Sequence, residues 1–301
     1  MADITEVTSG LQFPEGPIAM DDGSVVLVEI KRQTLTRVLP DGTQQIIAEL
    51  GGGPNGAAIG PDGKCYVCNN GGFEWSELNG LTLPGEQPAD YVSGSIQRVD
   101  LETGAVETLY TECNGNPLRG PNDIVFDTQG GFWFTDLGKT RAREQDRGGV
   151  YYATPDGKSI KEVIYPLVTP NGIGLSPDGA TLYVAETQPG RLHHYNVTAP
   201  GVATPADLLG GTLLAGLPGM QLFDSLAIDS EGNVCVATIV NGGITLISPD
   251  GETITHFATP DLLTTNICFG GADLRTAFIT LSGTGKLVST IWDVPGLKLN
   301  F

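Results

Sequence analysis

One pattern occurs six times along the 301-residue chain: a Pro, Phe or Thr, then Asn, Asp or Glu, then an apolar run, a Gly-containing turn and a second apolar run. The copies are PEGPIAMDDGSVVLVEI from Pro14, PNGAAIGPDGKCYVCNN from Pro54, PNDIVFDTQGGFWFTDL from Pro121, PNGIGLSPDGATLYVAET from Pro170, FDSLAIDSEGNVCVATI from Phe223 and TNICFGGADLRTAFITL from Thr265. Each copy reads as a hairpin, with β-branched and aromatic residues in the runs and turn formers between them. Further strand pairs, such as LTRVLPDGTQQIIAEL and GITLISPDGETITHFA, lie between the copies and carry their own Asp-Gly turns. Two hairpins per repeat make four strands per blade, so the expected fold is an all-β, six-bladed β-propeller with residues 1–301 as a single domain. The uneven spacing of the copies excludes a short-period solenoid and suits blades joined by loops of different length. Closure requires the two ends to meet; a strand near residues 3–9 is expected to complete the last blade beside KLVSTIWDV. No helix is expected.

One position in the repeat carries chemistry. The residue just before each innermost strand is Glu15, Asn55, Asn122, Asn171, Asp224 or Asn266, and each bears a side-chain oxygen. Innermost strands line the channel of a propeller, so equivalent positions form a ring at its mouth. Pro-Asn-Gly is also ordinary turn chemistry, which on its own would account for Asn55. It does not account for Glu15 and Asp224, because two carboxylates facing one channel repel unless a cation lies between them. Carboxylate and amide oxygens are hard ligands, so Ca2+ is the favoured ion, ahead of Mg2+, Mn2+ and Zn2+.

The histidines do not join this ring. His193 and His194 lie in RLHHYNV and His256 in ITHFA, both outer-hairpin segments, which disfavours a Ser-His-Asp hydrolase and a His-ligated zinc site. No GxSxG, P-loop or dinucleotide fingerprint is present. Cys65 and Cys68 form a CxxC, but within a strand that spacing sends the two side chains to opposite faces. Five cysteines suit a reducing compartment better than a disulfide framework. The opening MADITEVTSG has no secretory-signal pattern and no apolar run reaches membrane-spanning length, so a cytoplasmic protein away from membranes is expected. A formal charge of −19 argues against nucleic acid and anionic membrane surfaces as partners.

The segments that follow the second strand of each repeat return to the mouth and shape any pocket there. The longest are residues 70–94 and 137–148, candidate lids. Phe73, Trp75 and Tyr91 offer apolar contact, and Arg141, Arg143 and Arg147 could meet an anionic substrate.

From PEGP at Pro14 through GPND at Gly120 and FDSLAID at Phe223 to the closing GLKLNF, the chain resembles the gluconolactonase, senescence-marker-protein and luciferin-regenerating-enzyme family, which is related to diisopropyl-fluorophosphatase. The resemblance implies a six-bladed propeller with one divalent cation, often Ca2+, held by Glu15, Asn171 and Asp224. It makes Asn122 either a further ligand or a substrate contact. Two departures bear on substrate. Gly120 stands where animal sugar lactonases carry an Arg, and Cys268 where phosphatase-like members carry a His.

The expected activity is hydrolysis of a small lactone, with the cation polarising the ester carbonyl and Asp224 activating water or attacking directly. Asn122, Asn55, Asn266, Trp75, Phe73 and Arg141 are the expected substrate contacts. A metal-dependent phosphotriesterase and a non-catalytic binding propeller are the alternatives.

Overall fold

A computed structural model describes residues 3–206 and 212–301. Among these residues every regular element is a strand, and no helix is long and apolar enough to cross a membrane.

Six antiparallel sheets carry the architecture, each starting from one copy of the repeat. Blade 1 runs outward through Pro14–Ala19, Val25–Glu29, Thr34–Val38 and Gln44–Glu49. Blade 2 uses Pro54–Ile59, Cys65–Asn69, Ser95–Val99 and Val106–Tyr110, and blade 3 uses Pro121–Phe126, Phe132–Asp136, Gly148–Ala153 and Ile160–Leu167. Blade 5 is built from Leu222–Ile228, Val234–Ile239, Gly243–Ile247 and Ile254–Ala258. Blade 6 takes Thr264–Gly270, Thr276–Leu281 and Lys286–Ile291 from the end of the chain, and its outermost strand is Thr5–Ser9 from the beginning. The six-bladed propeller is therefore as expected, closure strand included.

Blade 4 departs from the simple pattern. Its third strand, Arg191–Ala199, follows Pro170–Leu175 and Thr181–Glu186 and is long enough to hold two partners side by side. Val202–Pro205 pairs with one half and Leu213–Gly216 with the other. Both candidate lids also contain short ladders that the repeat did not forecast: Trp75–Leu78 with Leu81–Pro84, and Thr140–Arg141 with Glu144–Gln145.

Cohesion resides between blades. Six apolar clusters each join two neighbouring sheets, and the sixth joins blade 6 to blade 1 through Leu287, Val25, Leu27 and Val38. Each fully buried Leu, Val, Ile or Phe in these seams contributes about 1.5–3 kcal/mol. The CxxC behaves as a strand should. Cys65 packs in the seam between blades 1 and 2, Cys68 in the seam between blades 2 and 3, and all five cysteines are free thiols.

Four blades share a device that aligns the inner strand. In each, the second strand ends on a residue opposite the inner-strand Pro: Glu29 opposite Pro14, Asn69 opposite Pro54, Asp136 opposite Pro121 and Glu186 opposite Pro170. That side chain accepts backbone N–H groups from the residues just ahead of the Pro: Gln12, Gly53, Arg119 with Gly120, and Val168 respectively. Proline suits the position because the inner strand is a sheet edge, where an N–H would face the channel unpaired.

Candidate functional site

The ring residues lie inside the inner strands, not just before them as the sequence pattern suggests. The ladder extends to Pro54, Pro121, Pro170 and Phe223 in blades 2 to 5, to Glu15 itself in blade 1 and to Thr264 in blade 6, and the pairing register then slips. A slip occurs between Glu15 and Ile18, Pro54 and Ala57, Pro121 and Ile124, Pro170 and Ile173, Phe223 and Leu226, and Thr264 and Asn266. Such irregularities re-aim side chains, and here the same one recurs in every blade at the ring position.

The inner strands touch in ring order, with the sixth against the first. Close approach requires glycine after the ring residue in three blades. A Cβ on Gly16 would sit 2.6 Å from the Asn55 carbonyl oxygen, one on Gly172 would sit 2.6 Å from that of Asp224, and one on Gly56 would collide with that of Asn122. Phe13 and Thr169 adopt left-handed backbone angles, with φ of 57° and 49°, two residues ahead of Glu15 and Asn171. For a β-branched Thr this is a costly conformation, of the kind found at functional sites.

All six ring side chains are buried. Glu15 Oε2 accepts from the Gly16 N–H at 2.7 Å and from Asn266 Nδ2 at 2.7 Å, while Asn266 Oδ1 accepts from the Ile267 N–H at 2.8 Å. Asn266 is thus engaged at both ends in holding Glu15. Asn171 donates to Thr187 Oγ1 at 3.1 Å, and its Oδ1 lies 3.4 Å from Ser225 Oγ. Asp224 Oδ1 accepts from the Ser225 N–H at 3.1 Å. Asn122 differs from its neighbours, because its buried Oδ1 has no hydrogen-bond partner.

The carboxylates are under electrostatic stress. Burial, then the charge of Asp224, pushes Glu15 well above the usual carboxylate range. Burial raises Asp224 to about 7, with the Asn171 hydrogen bond opposing and the charge of Asp123 adding to the shift. Asp123, which follows Asn122, is also raised to about 7 by burial, although the Ile124 and Ile173 N–H groups bond it. The sequence pattern did not single out Asp123; its signal was the departure from Gly, which occupies that place in blades 1, 2 and 4.

This donor set fits a hard divalent cation. It offers two carboxylates that repel each other, amide oxygens around them, and one buried amide oxygen without a partner. The set is of mixed carboxylate and amide character: among the described residues no group of three or more His, Cys, Asp and Glu side chains is arranged to hold a metal.

Two loops stand over this end of the channel. The 75–84 hairpin leaves blade 2 and reaches across to blades 1 and 6. Thr82 N–H donates to the Gly283 carbonyl at 2.9 Å, Lys31 pairs with Glu77 at 2.8 Å, and the Trp75 ring lies 5.1 Å from that of Phe13. Phe73 and Trp75 pack with Phe13, Ile30 and Leu263 in a seventh apolar cluster that seats the hairpin. The second loop is stapled by Arg141, whose guanidinium grips both oxygens of Asp146 at 3.1 and 2.6 Å and reaches Gln87 at 3.2 Å. Arg141 is therefore engaged within and between the loops, and Arg143 and Arg147 are exposed. Lys139, which the sequence reading passed over, is buried where the two loops meet.

His193 bridges Glu186 and Thr212 in blade 4, and His256 bonds Thr245 in blade 5; neither contacts a ring residue. Two hollows of about 420 and 450 Å3 lie at the outer flanks of blade 1, lined by none of the ring residues.

Comparison with known proteins places this architecture. Residues 13–283 match the SMP-30/gluconolactonase/LRE-like region. Gluconolactonase of Zymomonas mobilis is 27% identical over 310 aligned positions, covering 93% of this chain and 79% of its own. Lactonase drp35 of Staphylococcus saprophyticus is 31% identical, covering 83% of this chain and 71% of its own. Among solved structures, a calcium-binding protein, regucalcin, from Agrobacterium tumefaciens superposes with a TM-score of 0.76 at 19% identity, covering 99% of this chain and 98% of its own. The chain belongs to the SMP-30/gluconolactonase/LRE-like family.

Proposed function

We propose that the protein hydrolyses the ester ring of a small lactone at the mouth of its channel. In this reading one divalent cation, Ca2+ foremost, is held by Glu15, Asn171 and Asp224, with Asn122 as a fourth ligand or a substrate contact. The observation that carries it is the burial of Glu15 and Asp224 in one ring otherwise made of amides, close enough for the charge of Asp224 to raise the proton affinity of Glu15. The gluconolactonase and lactonase names of the two relatives support the substrate class, and the calcium-binding neighbour supports the ion.

When bound, the cation supplies positive charge that polarises an ester carbonyl and offsets the charge of the tetrahedral oxyanion. Asp224 takes a proton from the attacking water. Its carboxylate is aimed by the Ser225 N–H, and burial raises its proton affinity in the cation-free protein. Asn266 and the Gly16 N–H hold the Glu15 carboxylate in place. The mouth loops, tied to each other and to blades 1 and 6, shape what can approach.

The test is a pH-indicator assay of purified, Ca2+-loaded protein against sugar, aliphatic and aromatic lactones, with phosphotriesters in parallel. Turnover of lactones above phosphotriesters is the expected outcome. Inertness to every lactone overturns the reading.

A further inference from the structure

The mouth holds one more unfilled polar group. Asn70 is 2% exposed, and its Nδ2 is buried without a hydrogen-bond partner. Its orientation is settled by the other end of the amide: Oδ1 accepts from the Gly72 N–H at 2.8 Å and from Lys139 Nζ at 3.3 Å. Both are donors, so the atom they meet is the oxygen, and the NH2 group is the free end. A buried donor left without an acceptor costs about 1–3 kcal/mol. Such a group calls for an acceptor that the protein itself does not supply.

Lys139 fixes this arrangement. Its Nζ also donates to the Gly72 carbonyl at 2.6 Å and lies 4.4 Å over the Phe73 ring and 5.3 Å over the Tyr91 ring. Asp136 and Asp146 supply compensating charge, and burial lowers the amine to about 7. From below, Gly53 leaves room for the loop, because a Cβ there would strike Asn70 and Gly72.

The topology puts the pair at the ring end of the molecule. Asn70 follows Asn69, which pairs with Pro54 beside Asn55, and Lys139 stands three residues beyond Asp136, which pairs with Pro121 beside Asn122. The ester carbonyl is assigned to the carboxylate-bearing ring, so a donor in the mouth loops addresses a substituent away from the ester. Asn70 is uncharged, and the two ring carboxylates, Glu15 and Asp224, favour a neutral oxygen over an anionic one.

We propose that Asn70 is a specificity-determining residue that donates Nδ2–H to a ring hydroxyl of a polyhydroxylated lactone, with Lys139 as the positioning residue that locks its amide. The proposal rests on the lactone-hydrolase reading.

Asn70→Asp separates the roles, because it keeps the oxygen facing Lys139 and the Gly72 N–H and removes the donor. Wild type and this variant are compared by kcat and KM on a hydroxylated lactone and its deoxy counterpart of the same ring size. The expected result is a loss of about tenfold in kcat/KM, mostly in KM, on the hydroxylated substrate only. Lys139→Met, which frees the amide to rotate, is expected to lower the same ratio in the same direction, and Lys139→Arg to recover part of it. A loss in Asn70→Asp that is equal on both substrates, or absent from both, overturns the proposal while leaving the hydrolase reading intact. Wild-type protein inert to all lactones overturns both.

Discussion

Asp224 is the residue on which the chemistry turns. It is buried, aimed by the Ser225 N–H, and close enough to Glu15 and Asp123 for their charges to interact. Asp224→Asn is expected to lower kcat by about a hundred- to ten-thousand-fold. It removes a stressed charge, so the thermal midpoint should be at or above that of wild type; turnover near wild type in the folded variant contradicts the role. The same carboxylates govern stability when no cation is bound. Asp224 and Asp123 release their protons near 7 when folded but near the ordinary 3.8 when unfolded. Between those values the folded chain binds more protons, so stability falls as pH rises from about 4 to about 7. Thermal melts of chelator-treated protein should show that decline, and saturating Ca2+ should flatten or reverse it. The ring was legible in the sequence because its residues recur at one place in six copies. Asp123 and Asn70 were not, since each occurs once and its role depends on which neighbouring blade or loop it meets.

At the scale of single elements, the second strands do more than fill the sheets. Asp136 accepts three backbone N–H groups, from Arg119, Gly120 and Gly138, and so sets the entry of the strand that carries Asn122. Asp136→Ala strands those donors and is expected to destabilise the protein by about 3 kcal/mol or more, read as a lower denaturant midpoint. An unchanged midpoint contradicts this anchoring role. The terminal Glu29, Asn69, Asp136 and Glu186 were visible in the aligned copies, but nothing in a single strand says that its last side chain will reach back to the backbone ahead of the Pro. Loop behaviour was legible only in part. Length marked residues 70–94 and 137–148 as mouth elements, whereas the crossing to Gly283 and the engagement of Arg141 by Asp146 depend on tertiary contacts between distant segments.

For the whole molecule, ring closure is the feature that joins sequence to stability. Blade 6 takes its outermost strand, Thr5–Ser9, from near the chain's beginning, and its seam with blade 1 includes Val7, Leu11 and Leu287. Deleting residues 3–9 leaves Lys286–Ile291 as an open edge and should lower the thermal midpoint and broaden the transition by calorimetry. Blade number and closure followed from counting repeats. The doubled outer position of blade 4 did not, because it depends on a nine-residue third strand having room for two partners.

The central claim is that the buried ring holds a cation that lactone hydrolysis requires. Its most direct test is calorimetric titration of Ca2+ into chelator-treated wild type, Glu15→Gln and Asp224→Asn, with lactone turnover followed at each point. The account predicts one site in wild type, turnover that rises with its occupancy, and weakened or absent binding in both variants. Undiminished hydrolysis in chelator, or wild-type affinity in both variants, contradicts it.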